Sequence, residues 1–174
     1  MAKMAKMSAD NLKNNLNNLA KIFLWDVVFV NPIGGGDSEV LNVRCQSTTK
    51  PGRSFGAILV DYKATAGVKF PGRMRLTHTF PCTFVESTDA KTYDALYKWM
   101  QAIQHDRLSV GLPDILIKAD IYLNLIDATG AISEKIKLTG AYVELLDETP
   151  LNYGTDSGIV YSCTFSYDRW EKVG

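Results

Sequence analysis

The sequence predicts a mainly β protein, an antiparallel β-sandwich or barrel with one packed α-helix. Three observations carry that expectation. Segments such as RMRLTHTFPCTFVE (73–86) and GIVYSCTFSYDRW (158–170) alternate apolar and polar residues, as half-buried strands do. Short turn-forming segments separate neighbouring apolar stretches, which favours antiparallel pairing over crossover connections. Only TDAKTYDALYKWMQAIQHD (88–106) carries a long, well-marked helical period.

Leu12, Leu16, Leu19 and Phe23 fit one face of a helix, with Ser8 or Asp10 able to cap it. Asparagine and lysine fill the other face, and Asn-Asn is a poor helix former. Residues 1–21 are therefore read as an N-terminal arm that orders on contact, and 22–174 as a single domain. In LWDVVFV (24–30) valines and aromatics mark a strand. NPIGGGDS (31–38) reads as a flexible turn and VLNVRCQS (40–47) as a returning strand, which makes a hairpin. FGAILVDYK (55–63) is the third strand, turned at ATAG (64–67) into VKF (68–70).

In 73–86, Met74, Leu76, His78, Phe80, Cys82 and Phe84 share one face, and Pro81, which cannot donate to a ladder, marks an edge or a bulge. Thr88 or Asp89 is the expected cap of the helix, and Tyr93, Leu96, Tyr97, Met100 and Ile103 its buried stripe. IKADIYLNLI (117–126) and EKIKLTGAYVELL (134–146) are strands joined by DATGAIS, with its glycine in a left-handed position. The last strand sets Ile159, Tyr161, Cys163, Phe165 and Tyr167 on one face and Ser162, Thr164, Ser166 and Asp168 on the other. That polar stripe fits ordinary solvent-facing surface, and it also fits the lining of a channel.

The 174 residues, 46% hydrophobic and 22% charged, suit one soluble globular domain rather than a disordered chain. No apolar run reaches the ~18 residues of a membrane helix, and no apolar h-region follows the basic first residues, so no secretory signal is read. The three cysteines, Cys45, Cys82 and Cys163, are odd in number and widely spaced, which reads as reduced thiols in a cytosolic setting. Net charge is zero but unevenly spread. Residues 44–75 hold seven bases against Asp61, and 106–156 hold nine acids against four bases. Two such segments can attract copies of the chain head to tail, or can be two solvated surfaces.

No catalytic set emerges. GGGD (34–37) lacks a lysine at phosphate-loop spacing and no helix is expected after it, so it reads as a hairpin tip. His78 reads as a core or interface histidine and His105 as a cation at a helix end. The cysteines form no CxxC pair, and Asp120 and Asp127 have no paired second acid. Pro-Gly-Arg occurs twice, at 51–53 and 71–73. With no helix N-terminus expected after either copy, each Pro-Gly is read as a turn bounding the third strand and VKF, leaving Arg53 and Arg73 near one end of that unit.

The stretch RCQSTTKPGRSFGAILVDYKATAGVKFPG (44–72) resembles the signature region of tail tube proteins of contractile-tailed bacteriophages. It has the Arg-Cys pair, the serine, Pro-Gly-Arg, an aromatic, a short strand ending near Tyr-Lys, and a second Pro-Gly. The likeness continues through LYKWM, LTGAYVELL and FSYDRWE, from about residue 24 to 171. The arm, 1–21, is longer and richer in asparagine than the family pattern.

The resemblance implies a structural virion protein rather than an enzyme, with no cofactor or metal. Six subunits would close into a ring around a continuous inner β-barrel, and rings would stack into the tube of a contractile tail, assembled in the host cytoplasm. The implied partners are further copies of the chain, the sheath, baseplate, tape-measure and tail-terminator proteins, and DNA that passes without specific binding; no membrane anchor is implied. Arg44, Pro51, Gly52, Arg53, Phe55, Pro71, Gly72 and Arg73 are the candidate inter-subunit contacts. Asp120, Tyr122, Asn124, Ser162, Thr164 and Ser166 are the candidate lumen residues, because a DNA channel should be small, polar or acidic rather than basic. The alternatives are the tube of a pyocin-like or type VI-like injection system, and a monomeric β-sandwich binding module with the helix or the GGGD loop beside its ligand.

Overall fold

The computed structural model describes residues 20–30, 32–33, 37–62, 65–154 and 156–173. Most of the N-terminal arm, the three glycines of GGGD and the tip of ATAG lie outside these. The elements run β1 (Trp25–Phe29), α1 (Asp37–Arg44), β2 (Cys45–Thr48), β3 (Arg53–Tyr62), β4 (Thr65–Leu76), β5 (Thr79–Val85), α2 (Lys91–Ile103), α3 (Asp114–Ile117), β6 (Ala119–Ile126), β7 (Ile132–Leu146), β8 (Val160–Ser166) and β9 (Arg169–Lys172). The main sheet has the order β1-β6-β7-β8-β5-β2, with β9 also on β7, while β3 and β4 form a separate two-stranded sheet. All pairings are antiparallel. The expected fold class stands.

The main sheet curls on itself. Its order puts β1 and β5 four positions apart, about 19 Å in a flat sheet at ~4.8 Å per strand. Yet the Phe29 ring of β1 lies 5.5 Å from Phe84 of β5 and 5.2 Å from Phe165 of β8. The bend falls in β7 at Gly140, whose φ of 71° suits glycine. A Cβ there would collide with the Asp168 carboxylate. Opposite that point the expected final strand also breaks, at Tyr167–Asp168, into β8 and β9 along the same edge of β7. Gly130 in the β6–β7 turn has φ 88°, as expected.

The expected hairpin of 24–47 does not form. Residues 37–44 are helix α1, and β1 pairs with β6 from Trp25↔Leu125 to Phe29↔Ile121. Asp37 and Glu39 in the first turn and Arg44 in the last suit the helix dipole, and Leu41 fills the core. Asn42 then closes the ladder, its Oδ1 accepting the Phe29 N–H at 2.6 Å. A short apolar run such as VLNV fits either period. A helix thus follows GGGD after all, though its first turn is acidic, which disfavours an anion there.

The strand expected over 73–86 is also interrupted. Thr77 and His78 separate β4 from β5, and His78 is exposed with φ 56° rather than set on an apolar face. Phe80, Cys82 and Phe84 are buried as expected, whereas Met74 is exposed. Pro81 sits one residue past the β2 ladder, at a local open edge.

In α2 the buried side is Thr92, Ala95, Leu96 and Trp99, rotated from the expected stripe, and Tyr93 and Tyr97 turn outward and stack. The rotation follows Trp99, which is fully buried against Phe165 and donates its Nε1–H to the Ile117 carbonyl at 2.8 Å. Neither Thr88 nor Asp89 occupies the N-cap. Ala90 does, with φ 52°, and the Glu86 carboxylate accepts the N–H groups of Tyr93 at 2.8 Å and Thr92 at 3.3 Å. His105 lies beyond the last helical residue, Ile103.

Trp99→Ala should lower unfolding free energy by about 3–5 kcal/mol. Trp99→Phe, which keeps most of the apolar volume but strands the buried Ile117 carbonyl, should cost about 1–3 kcal/mol. Urea unfolding of both variants checks the split.

Candidate functional site

The β3–β4 hairpin is the most unusual surface of the molecule. Among the described residues its two strands pair only with each other and pack broadly on no other element. An isolated two-stranded sheet is marginal in water. On one face Ile58↔Phe70 and Val60↔Val68 form two cross-strand apolar pairs, all four side chains about half exposed. Phe55, 64% exposed, pairs with Met74 nearer the base.

The two Pro-Gly-Arg copies differ in structure. Pro51-Gly52 leads into β3, close to the expected turn. Pro71-Gly72 is not a turn; it lies within β4 at a bulge opposite Gly56. A Cβ on Gly72 would meet the Gly56 backbone at 3.0 Å, so the two strands approach through paired glycines.

The candidate contact arginines divide. Arg44 is engaged within the chain, 2.8 Å from Glu86 and 2.9 Å from Asp89, and also bonded to Thr92. Arg53 lies over the Trp170 ring, 4.0 Å from its centre, with Nη2 donating to the Trp170 carbonyl at 3.0 Å. Arg73 is exposed and makes no hydrogen bond or ion pair with a described residue; Lys69 and Arg75, also on β4, are the same. Lys50 pairs with Glu134 at 2.6 Å, so part of the basic segment meets the acidic segment inside one chain. Glu144, Asp147, Glu148 and Asp156 are exposed acids without an ion pair among the described residues.

The two candidate lumen faces also differ. Ser162, Thr164 and Ser166 on β8 lie opposite Thr83, Pro81 and Thr79 of β5, and Thr83 bonds Ser47 of β2 at 2.6 Å. These three adjacent strands contain no charged residue. Asp120, Tyr122 and Asn124 on β6 instead neighbour lysines: Asp120 pairs with Lys137 at 2.8 Å, and Lys135 sits 4.7 Å from the centre of the Tyr122 ring. Asn124 is buried with its Oδ1 unpaired.

Cys82 and Cys163 face each other across β5 and β8 as free thiols, and burial pushes both well above the ordinary thiol range. Cys45 is half-buried and free. An open cavity of about 720 Å³ is lined by residues of one loop and the start of β8, including Leu151, Tyr153 and Ile159, with no carboxylate, imidazole or thiol. Among the described residues no acid–histidine–cysteine group has metal-binding geometry, and no helix is long and apolar enough to cross a membrane.

No family model and no curated protein matches the chain. Solved structures do. A chain in the anti-feeding prophage tube terminating cap is similar at 16% identity, with a TM-score of 0.66 over 90% of this chain and 91% of that one. A chain of the sheath–tube complex of the extracellular contractile injection system PVC is similar at 14% identity, TM-score 0.63, over 95% and 97%. The PVC sheath/tube terminator gives 15%, 0.66, and 90% and 98%. The chain therefore has the fold found in these particles along nearly its whole length.

Arg44 makes stability depend on acid. Its hydrogen bond draws Asp89 down to about 2. Burial raises the Glu86 carboxyl, but the N–H groups of Tyr93 and Ser87 and further hydrogen bonds outweigh it, leaving the group below its usual range. Both carboxyls titrate lower folded than unfolded, so their stabilisation is complete above about pH 4–5 and fades as pH falls through the folded values. Thermal melting should drop between about pH 4 and pH 2. Arg44→Met should flatten that drop and lower stability at neutral pH.

Proposed function

We propose that the chain is the subunit of the inner tube of a contractile phage tail. The observation that carries this is the β3–β4 hairpin: a long, half-apolar ribbon that no described element of its own fold covers, on a chain with the fold of contractile-particle proteins. Unpaired strands and apolar faces of this kind are satisfied by pairing with another chain. In this reading a neighbouring copy covers the Ile58, Val60, Val68 and Phe70 face, and the short edge strands β1 and β2 are further places where copies can join. Rotational closure gives a ring of six, and a second, non-closing contact stacks rings into a tube. Unpaired Lys69, Arg73 and Arg75 face the task of stacking attraction, with Glu144, Asp147, Glu148 and Asp156 of the next copy as their partners. Pro51, Gly52, Pro71, Gly72 and Phe55 shape the hairpin that makes the contact, and Arg53 supports it from within, while Arg44 holds the start of α2.

The bore would be lined by the Ser162, Thr164 and Ser166 stripe together with Ser47, Thr79 and Thr83. Charge decides between the two faces, since DNA binds cationic surfaces and must slide. The Asp120, Tyr122 and Asn124 face carries Lys135 and Lys137 and suits the outside, where the sheath would lie. Baseplate, tape-measure and terminator proteins would meet the ends and lumen of such a tube, and the assembled particle would be a virion.

Two of the similar structures are of a tube terminating cap and a tube terminator, which favours a second reading: one terminal ring rather than a rod. The tube of a pyocin-like or type VI-like injection system is the alternative, with a different passenger.

Negative-stain microscopy of concentrated protein should show rods about one ring wide. Single rings would select the terminator reading, and a lasting monomer would overturn both. The pair Ile58→Lys and Phe70→Glu should abolish assembly while the main sheet still melts cooperatively. Arg73→Glu should raise the concentration needed for rods, and added salt should do the same to the wild type. A map of the assembly with lysines or arginines ringing the bore would reject the lumen assignment.

A further inference from the structure

The hairpin leaves the core through two legs, and one four-residue stretch holds both. At the entering leg, the Arg53 guanidinium lies on the Trp170 indole, 4.0 Å from its centre, and donates to the Trp170 carbonyl at 3.0 Å. The indole N–H returns a bond to the Gly52 carbonyl at 3.3 Å. At the leaving leg, the Tyr167 N–H donates to the His78 carbonyl at 3.0 Å, and His78 Nδ1 donates to the Tyr167 carbonyl at 2.9 Å. The Thr77 and Tyr167 hydroxyls approach at 3.5 Å. His78 is held with φ 56°, a conformation that persists in a non-glycine residue only when its surroundings enforce it. Beyond these legs the ribbon has no broad support from the other described elements.

We propose that the Tyr167–Trp170 stretch is a two-point buckle that sets the angle at which the hairpin leaves the core, with Trp170 as its positioning residue. A guanidinium set over an indole, with a backbone hydrogen bond at each end of the pair, defines direction as well as distance; a lysine ammonium does not. The stretch lies opposite the Gly140 bend of β7, so the angle of the hairpin is tied to the curl of the main sheet. The consequence, that the buckle pre-orients the hairpin for a neighbouring copy, rests on the tube reading above; the buckle itself does not.

Amide hydrogen exchange on the full-length chain, dilute enough to stay monomeric, tests it in wild type, Trp170→Ala, Arg53→Lys and a control, Arg73→Lys. Amides of residues 53–58 and 72–78 should exchange roughly ten-fold faster in the first two variants, with no change in the control or in residues 80–84 and 121–125. Hairpin exchange unchanged in Arg53→Lys overturns the proposal. So does equal acceleration in the core strands, which would make Trp170 a packing residue. Rod formation is scored separately. Loosened hairpins with wild-type rods support the buckle and reject its role in assembly, and a wild type that never assembles rejects the tube reading while the exchange result stands.

Discussion

The contact of Phe29 with Phe84 and Phe165, sealed by Trp99, is the constraint on which the rest of the structure depends. It brings strands from the two halves of one sheet face to face, and so requires β7 to bend. Gly140 permits that bend without strain. Once bent, the sheet encloses an aromatic core that one helix, α2, can cover. Burying rings of this size contributes about 1.5–3 kcal/mol each, more than any surface pair in the molecule.

Closing the core in this way buries its rings among β1, β5, β8 and α2, and β3 and β4 contribute no described residue to it. The ribbon is therefore excluded, although Ile58, Val60, Val68 and Phe70 are as apolar as the residues of a core strand. That exclusion turns an ordinary-looking strand pair into the part of the molecule that needs a partner. Both glycines of the bulge, Gly56 and Gly72, let the strands approach closely where they bend. The legs are then fastened by residues more than eighty positions away, from a C-terminal stretch whose placement depends on the same β7 bend.

Charge follows the same division. The basic segment is contiguous in the chain but not in its work. Arg44 closes the start of α2, Arg53 fastens the hairpin, and Lys50 meets Glu134. Only Lys69, Arg73 and Arg75 remain on the ribbon as free cations among the described residues. A charge imbalance in sequence thus divides into internal supports and a smaller exposed set. The exposed members are screened by salt, whereas the internal ones are screened less.

Strand alternation in 79–85 and 160–166, the helical period of 91–103 and the glycine turn at Gly130 were legible in the sequence, because each depends on local periodicity and backbone freedom. So was the resemblance that led to the fold. VLNVRCQS was not legible, since a short apolar run suits helix and strand alike and only Asn42 meeting Phe29 decides it. Nor was the place of His78, where perfect alternation hid a break. The buried side of the helix was legible in Leu96, Met100 and Ile103 but not in Trp99, whose hydrogen bond to the Ile117 carbonyl turns Tyr93 and Tyr97 outward. By itself the sequence determined the mainly antiparallel β class, the principal helix and the buried alternation of Phe80, Cys82 and Phe84 and of Cys163, Phe165 and Tyr167, which follow from nearest-neighbour sterics and side-chain period. Only the tertiary structure decided which strands pair, where β7 bends, that Pro71-Gly72 is a bulge rather than a turn, and that Arg53 belongs to Trp170. Those outcomes depend on which distant surfaces come together when the core closes, and periodicity carries no record of that.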